Sequence, residues 1–239
     1  MYIDYIKIDW SKVGEDSYLR RIPALKGLER LAFDSPITFF VGENGSGKST
    51  LLEAIAVHYG FNPEGGSLNY SFSTFDDHSD LHRALTVGKG VGGRRHGFFL
   101  RAESFFNVAT QTLEYERWGD GPMFGEETLH AQSHGESFLS VITTMGKGLF
   151  LFDEPEAALS PNRQMSLISK MMSMTESGSQ YLVVTHSPIL LSIPGATIYA
   201  FEDTGIRRQA YEETDSYRYY ELFINHRDRM VRQLSPSAE

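Results

Sequence analysis

Apolar residues fall along this chain in two rhythms. One is the short, unbroken β-prone run, seen at Ile37 to Val41 (ITFFV), Leu149 to Phe152 (LFLF), Tyr181 to Thr185 (YLVVT) and Thr197 to Phe201. Runs without polar alternation suit strands buried on both faces of a mostly parallel sheet. The other is helical spacing. Leu51, Leu52, Ile55 and Ala56 predict an amphipathic helix from Lys48 to about Tyr59. Pro161, suited to a first turn, opens another to about Glu176. Phe106, Ala109 and Leu113 predict a helix over Glu103 to Trp118, and others are expected over Gly135 to Met145 and, as one helix or a pair, over Ser216 to Leu234. Met1 to Trp10 alternates apolar with charged residues and reads as a strand, Arg30 to Phe33 as a second, and Phe98 to Leu100 as a third. Between Gly60 and Gly97 the pattern predicts only a strand near Ser67 to Phe75 and a short helix near Leu81.

Strands alternating with helices imply an α/β fold around a mostly parallel central sheet, with an antiparallel β region at the N-terminal end. The 239 residues show no repeat, heptad array or long linker, so a single domain over 1–239 is expected. No run of about 18 apolar residues exists, which argues against direct membrane insertion, and MYIDYIKIDW lacks the layout of a signal peptide. Cytoplasmic residence is the expectation. With no cysteine, disulfides, thiolate chemistry and Cys-ligated zinc are excluded. A net charge of −9 argues against a surface that grips nucleic acid all over. Lys89, Arg94 and Arg95 in the glycine-rich stretch Lys89 to His96 form either a local basic patch or a solvated loop.

The segment Gly42, Glu43, Asn44, Gly45, Ser46, Gly47, Lys48, Ser49, Thr50 fits G-x-x-x-x-G-K-[ST] and lies between an expected strand and helix. Glycines let the backbone curl so that N–H groups converge on phosphates, and the helix adds its positive end. Lys48 would reach the β- and γ-phosphates, and Ser49 would offer its hydroxyl to Mg²⁺. LFLFDEP sets Asp153 and Glu154 at the end of an apolar strand. There Asp153 would hold Mg²⁺ through water, and Glu154 would orient the water that attacks the γ-phosphate. VVTHSP ends a further β-run at His186. A lone histidine is usually structural, but one expected at the same sheet edge could donate a hydrogen bond to the γ-phosphate.

Together with SHGES, Ser133 to Ser137, these pieces resemble the ABC ATPase superfamily of P-loop NTPases. ITFFVGENGSGKSTLLEAI, DEPEAALSP and THSP look like its soluble, non-transporter branch, the SMC, RecF and OLD heads, and YELFINHRDRM is similar to a group of small bacterial ATPases. The resemblance implies an ATP- and Mg²⁺-dependent ATPase head with a helical signature subregion at about 103–147. It implies that Ser133, Gly135 and Glu136 bind ATP held by a second subunit, and that Glu156 to Ser160 form the D-loop. SHGES alone also fits a helix cap, and Ser160 stands where many relatives carry an acidic residue or histidine. No glutamine stands at the family's Q-loop. Arg101 and Glu103 are the candidates there, Glu103 also for Mg²⁺, with Gln111 further off. Tyr18 could stack on adenine or be an ordinary tyrosine. Only about 30 residues separate Glu103 from Ser133, too few for a coiled-coil arm.

A homodimer closing head to tail around two Mg-ATP is the mechanism so implied. Its work is expected in DNA maintenance or defence against foreign DNA, with DNA as a partner. Alternatively the chain is a switch or adaptor controlling a separate protein effector. A transporter's ATPase subunit is the third reading.

Overall fold

The computed structural model describes residues 1–68, 79–90, 96–101 and 146–234. Seven strands form the central sheet: β3 (Ile37–Gly42), β4 (Gly66–Ser67), β6 (Gly97–Arg101), β7 (Leu149–Asp153), β8 (Gln180–Val184), β9 (Thr197–Glu202) and β10 (Gly205–Gln209), in the order β10-β9-β3-β8-β7-β6-β4. The five central strands are parallel, and only the edge strands β10 and β4 run antiparallel. A second, antiparallel sheet joins β1 (Ile3–Ile8) to β2 (Arg30–Ala32) on one side and β5 (Leu85–Lys89) on the other. The helices are α1 (Lys48–Tyr59), α2 (Leu81–Ala84), α3 (Pro161–Glu176), α4 (Pro188–Leu191) and α5 (Asp215–Gln233).

The apolar runs are continuous because both faces of the central sheet are covered. Phe40, Leu149, Leu151, Leu182 and Val184 face α1 and the small sheet, whereas Phe39, Val41, Phe150, Phe152 and Val183 face α3 and α4. This two-sided burial also corrects the expectation of an amphipathic α1. Clamped between the two sheets, it buries Leu51, Leu52, Ala54, Ile55, Ala56 and Tyr59, and even Lys48 and Glu53. Covered on nearly every side, with only His58 exposed, the helix has no polar stripe to show.

Gln180, fully buried at the start of β8, links the two sheets. Its Oε1 accepts hydrogen bonds from the backbone N–H of Tyr2 and Ile3, both at 2.8 Å, and its Nε2 donates to the Ile3 carbonyl at 2.7 Å. Leucine would remove all three of these buried bonds to the backbone at the start of the first strand, so Gln180→Leu should cost about 2–4 kcal/mol. A urea midpoint measured by circular dichroism would register it, and an unchanged midpoint would contradict this role for Gln180.

Three elements depart from the pattern-based reading. Lys89 is the last residue of β5 and not part of a loop. Strand β10 and helix α4 were not expected; β10 is an edge strand whose GIRRQ has little apolar signal, and α4 is a single turn. The expected helices over Glu103 to Trp118 and Gly135 to Met145, the signature subregion and most of the strand near Ser67 to Phe75 lie outside the described residues. Helix α5 follows its expected span but is interrupted at His226, whose backbone is non-helical.

Candidate functional site

The carboxyl ends of β3, β8 and β7 lie side by side, and from this edge come the side chains singled out in the sequence. β3 ends at Gly42, where the chain turns into α1 through Gly42, Gly45 and Gly47, all with positive φ. At Gly47 a side chain is excluded twice over: φ is +96°, and a Cβ would stand 2.7 Å from Ile22 Cγ2 and 3.1 Å from Leu25 Cδ1. Gly47→Ala should therefore lose about 1–2 kcal/mol of stability and weaken any ligand of the loop; chemical denaturation at matched protein concentration would measure the first part.

As N-cap of α1, Gly47 has no side chain to cap the helix. The N–H groups of the first turn, which no helix can satisfy internally, are thus left for a ligand, with the helix dipole favouring an anion. The Lys48 ammonium curls back over the loop and donates to the carbonyls of Gly42 at 2.8 Å and Glu43 at 2.6 Å, with Ser46 Oγ at 3.5 Å. Only 4% of Lys48 is exposed. Burial pushes its pKa down from the ordinary lysine value, and the carboxylates of Glu154, Asp153 and Glu43 oppose that shift.

Ser49, on the next residue, donates its hydroxyl to Asp153 Oδ1 at 2.8 Å across 104 positions of sequence. Two hard oxygen ligands on adjacent elements suit Mg²⁺, which is typically held by one or two protein oxygens plus phosphates. Glu154 continues from β7 by donating its N–H to Val184 O, then turns sharply: its φ of +51° is the only positive value at a non-glycine among the described residues. Such left-handed backbone costs on the order of 1 kcal/mol, and it swings the carboxylate out of the strand to a half-exposed position at the sheet edge. Facing it is His186, just past the end of β8, with Nε2 at 3.8 Å from Glu154 Oε1. That nitrogen is buried and has no hydrogen-bond partner. A buried orphan beside an anion-binding loop fits a phosphate oxygen.

Lys48, Ser49, Asp153, Glu154 and His186 are thus brought together. Ser133, Gly135, Glu136, Glu103 and Gln111 lie outside the described residues, as do Arg94 and Arg95 of the basic stretch. Arg101 ends β6 in register with Asp153, but its guanidinium turns to Glu53 Oε2 of α1 at 2.9 Å and to the Pro63 carbonyl at 3.3 Å. Tyr18 sits half-exposed on a 3-10 turn, Tyr18–Arg21. Residue-by-residue reading missed the polar network behind His186. Glu156 Oε1 accepts the His186 backbone N–H at 2.6 Å, and Ser187 donates to Gln164 Oε1 at 2.5 Å. The extra glutamate in DEPE was the available signal.

Sheet order, phosphate-loop motif and acid-tipped β7 define the class only as an α/β fold of the P-loop type, and two stretches of the chain match models of AAA domains. Residues 18–79 match the family described as "AAA domain", and residues 136–192 match "AAA domain, putative AbiEii toxin, Type IV TA system". The chain is 28% identical over 189 residues to a protein named as an ABC transporter ATP-binding protein in Caldanaerobacter subterraneus, covering 71% of this chain and 77% of that one. It is 25% identical over 194 residues to the ribose import ATP-binding protein of a Chelativorans species, covering 73% of this chain but 37% of the relative's length. Among solved structures it overlaps the SMC head domain from Thermotoga maritima, at 14% identity and a TM-score of 0.47, over 87% of this chain and 98% of that one. An ATP-binding cassette of an ABC transporter overlaps at 17% identity and the same TM-score, over 95% and 97%. No helix among the described residues is long and apolar enough to cross a membrane.

Proposed function

We propose that this chain is an ATPase head that binds Mg-ATP and hydrolyses it when two copies close head to tail. The observation that carries the reading is the 2.8 Å contact of Ser49 with Asp153 beside the buried Lys48. It joins a phosphate loop to a metal-holding acid across the sheet edge.

In this reading the curled backbone from Glu43 to Gly47, with the uncapped first turn of α1, cradles the phosphates, and Lys48 exchanges its bonds to Gly42 and Glu43 for phosphate oxygens. Ser49 and Asp153 would hold Mg²⁺, which would supply positive charge to neutralise the phosphates. Glu154 polarises the attacking water, and His186 Nε2 donates to the transferred phosphoryl group. Phosphoryl transfer depends chiefly on such positioning and charge stabilisation. Ser133, Gly135 and Glu136 are proposed to complete the site from the second copy. Phosphate release with and without Mg²⁺, together with light scattering in saturating Mg-ATP, tests the reading. A chain that turns over no ATP, or that hydrolyses it as a strict monomer, would refute it.

The work driven by the cycle is proposed to be on DNA, following the resemblance to SMC and RecF heads. A specific observation favours the second reading, a switch that controls a protein effector. Helix α5 carries exposed Tyr219, Tyr220 and Ile224, and an 820 Å³ apolar groove beside it, lined by Met165, Ile168 and Tyr211, runs up to His186. An apolar surface next to the γ-phosphate switch suits a partner that reads nucleotide state. DNA-stimulated turnover that fades as salt rises supports the first reading. Turnover indifferent to DNA supports the second.

A further inference from the structure

Glu156 is a carboxylate that the hydrolytic scheme leaves without a task. It lies on the 3-10 turn Pro155–Ala158, two residues past Glu154, and reaches across to the end of β8. Its Oε1 accepts the His186 backbone N–H at 2.6 Å, while its Oε2 is buried and has no hydrogen-bond partner. Burial pushes its carboxyl above the ordinary glutamate value, opposed by the hydrogen bonds it accepts. Burying a carboxylate costs stability, and the hydrogen bonds that offset this cost include those from the His186 backbone and the Thr185 side chain, both at the end of β8.

The same segment grips the neighbouring residue as well. Gln164, buried in the first turns of α3, accepts from the Ser187 hydroxyl at 2.5 Å and donates to the Leu159 carbonyl at 3.1 Å. The backbone that carries His186 is therefore pinned from two sides by one stretch of chain, residues 156–164, which begins beside Glu154.

The geometry points to Glu156 as a positioning residue for ATP hydrolysis, acting through the His186 backbone to hold the imidazole at Glu154 and the reacting phosphate. The inference rests on the ATPase reading above. It deepens that reading by linking the turn after Glu154 to the switch histidine.

The test is a mutant cycle in the full chain, with kcat and KM for Mg-ATP measured alongside calorimetric binding of ATP. Glu156→Met keeps the volume and removes the acceptor. It should lower kcat on the order of 10- to 100-fold, as misplacement of a reacting group by about 1 Å does, with KM and ATP affinity unchanged. Glu156→Gln, whose amide oxygen still accepts the N–H, should restore the rate. In a His186→Ala background Glu156→Met should lower kcat no further, because no imidazole remains to be placed. If the methionine variant fails to fold, Glu156→Asp, one methylene too short for the contact, carries the same expectations. Losses that multiply in the double variant would overturn the proposal, as would an Glu156→Met rate equal to the unmutated one. An unmutated chain with no Mg-dependent turnover would instead overturn the ATPase reading, and this inference with it.

Discussion

Lys48→Ala is expected to remove ATP binding from the calorimetric window while leaving the chain folded. The ammonium is nearly buried and is held by the carbonyls of Gly42 and Glu43, within the curl where phosphate oxygens would lie. A charge-assisted hydrogen bond in such a place is worth about 1.5–3 kcal/mol. Contacts to two phosphates together then amount to roughly 100- to 20,000-fold in affinity, at about 1.4 kcal/mol per tenfold. Stability should change little or rise, because the desolvation that lowers the Lys48 pKa is a cost of the folded state that alanine does not bear. An ATP affinity equal to that of the unmutated chain, in a variant with an intact circular dichroism spectrum, would refute the phosphate-loop assignment.

Glu154→Gln separates hydrolysis from binding. Its side chain is half-exposed at the sheet edge, so the amide should not disturb packing. ATP affinity should hold, whereas kcat should fall by roughly 10²- to 10³-fold, the scale of losing one preorganised electrostatic contact to the transition state. With hydrolysis blocked, the closed pair should accumulate, and light scattering in Mg-ATP should report twice the mass of the nucleotide-free chain. A variant that stays monomeric with saturating Mg-ATP would rule out the head-to-tail mechanism. Glu154→Ala would be a poorer probe, since it also changes the side chain at the left-handed turn.

The phosphate loop is legible in the sequence because its determinants are local. Spaced glycines permit the positive φ values at 42, 45 and 47, and the following lysine and serine come with the helix they begin. The core strands and the span of α3 are legible for a similar reason, since an apolar run or a proline at a first helical position acts on its own neighbourhood. The burial of α1 is not legible. Its apolar spacing suits one covered face, and only the placing of the small sheet against it covers the other.

What the chain's order of residues determines by itself, then, is the inventory: a curled loop, an acid-tipped strand and a histidine after a β-run. Tertiary structure decides that β8 lies between β3 and β7. Ser49 thereby meets Asp153, His186 faces Glu154, and Glu156 closes on the His186 backbone. The reason is that glycine and helix preferences act over a few residues, whereas contacts spanning 30 to 104 positions depend on strand register. That register is set by how two aromatic and aliphatic faces, one under α1 and one under α3, pack as a whole.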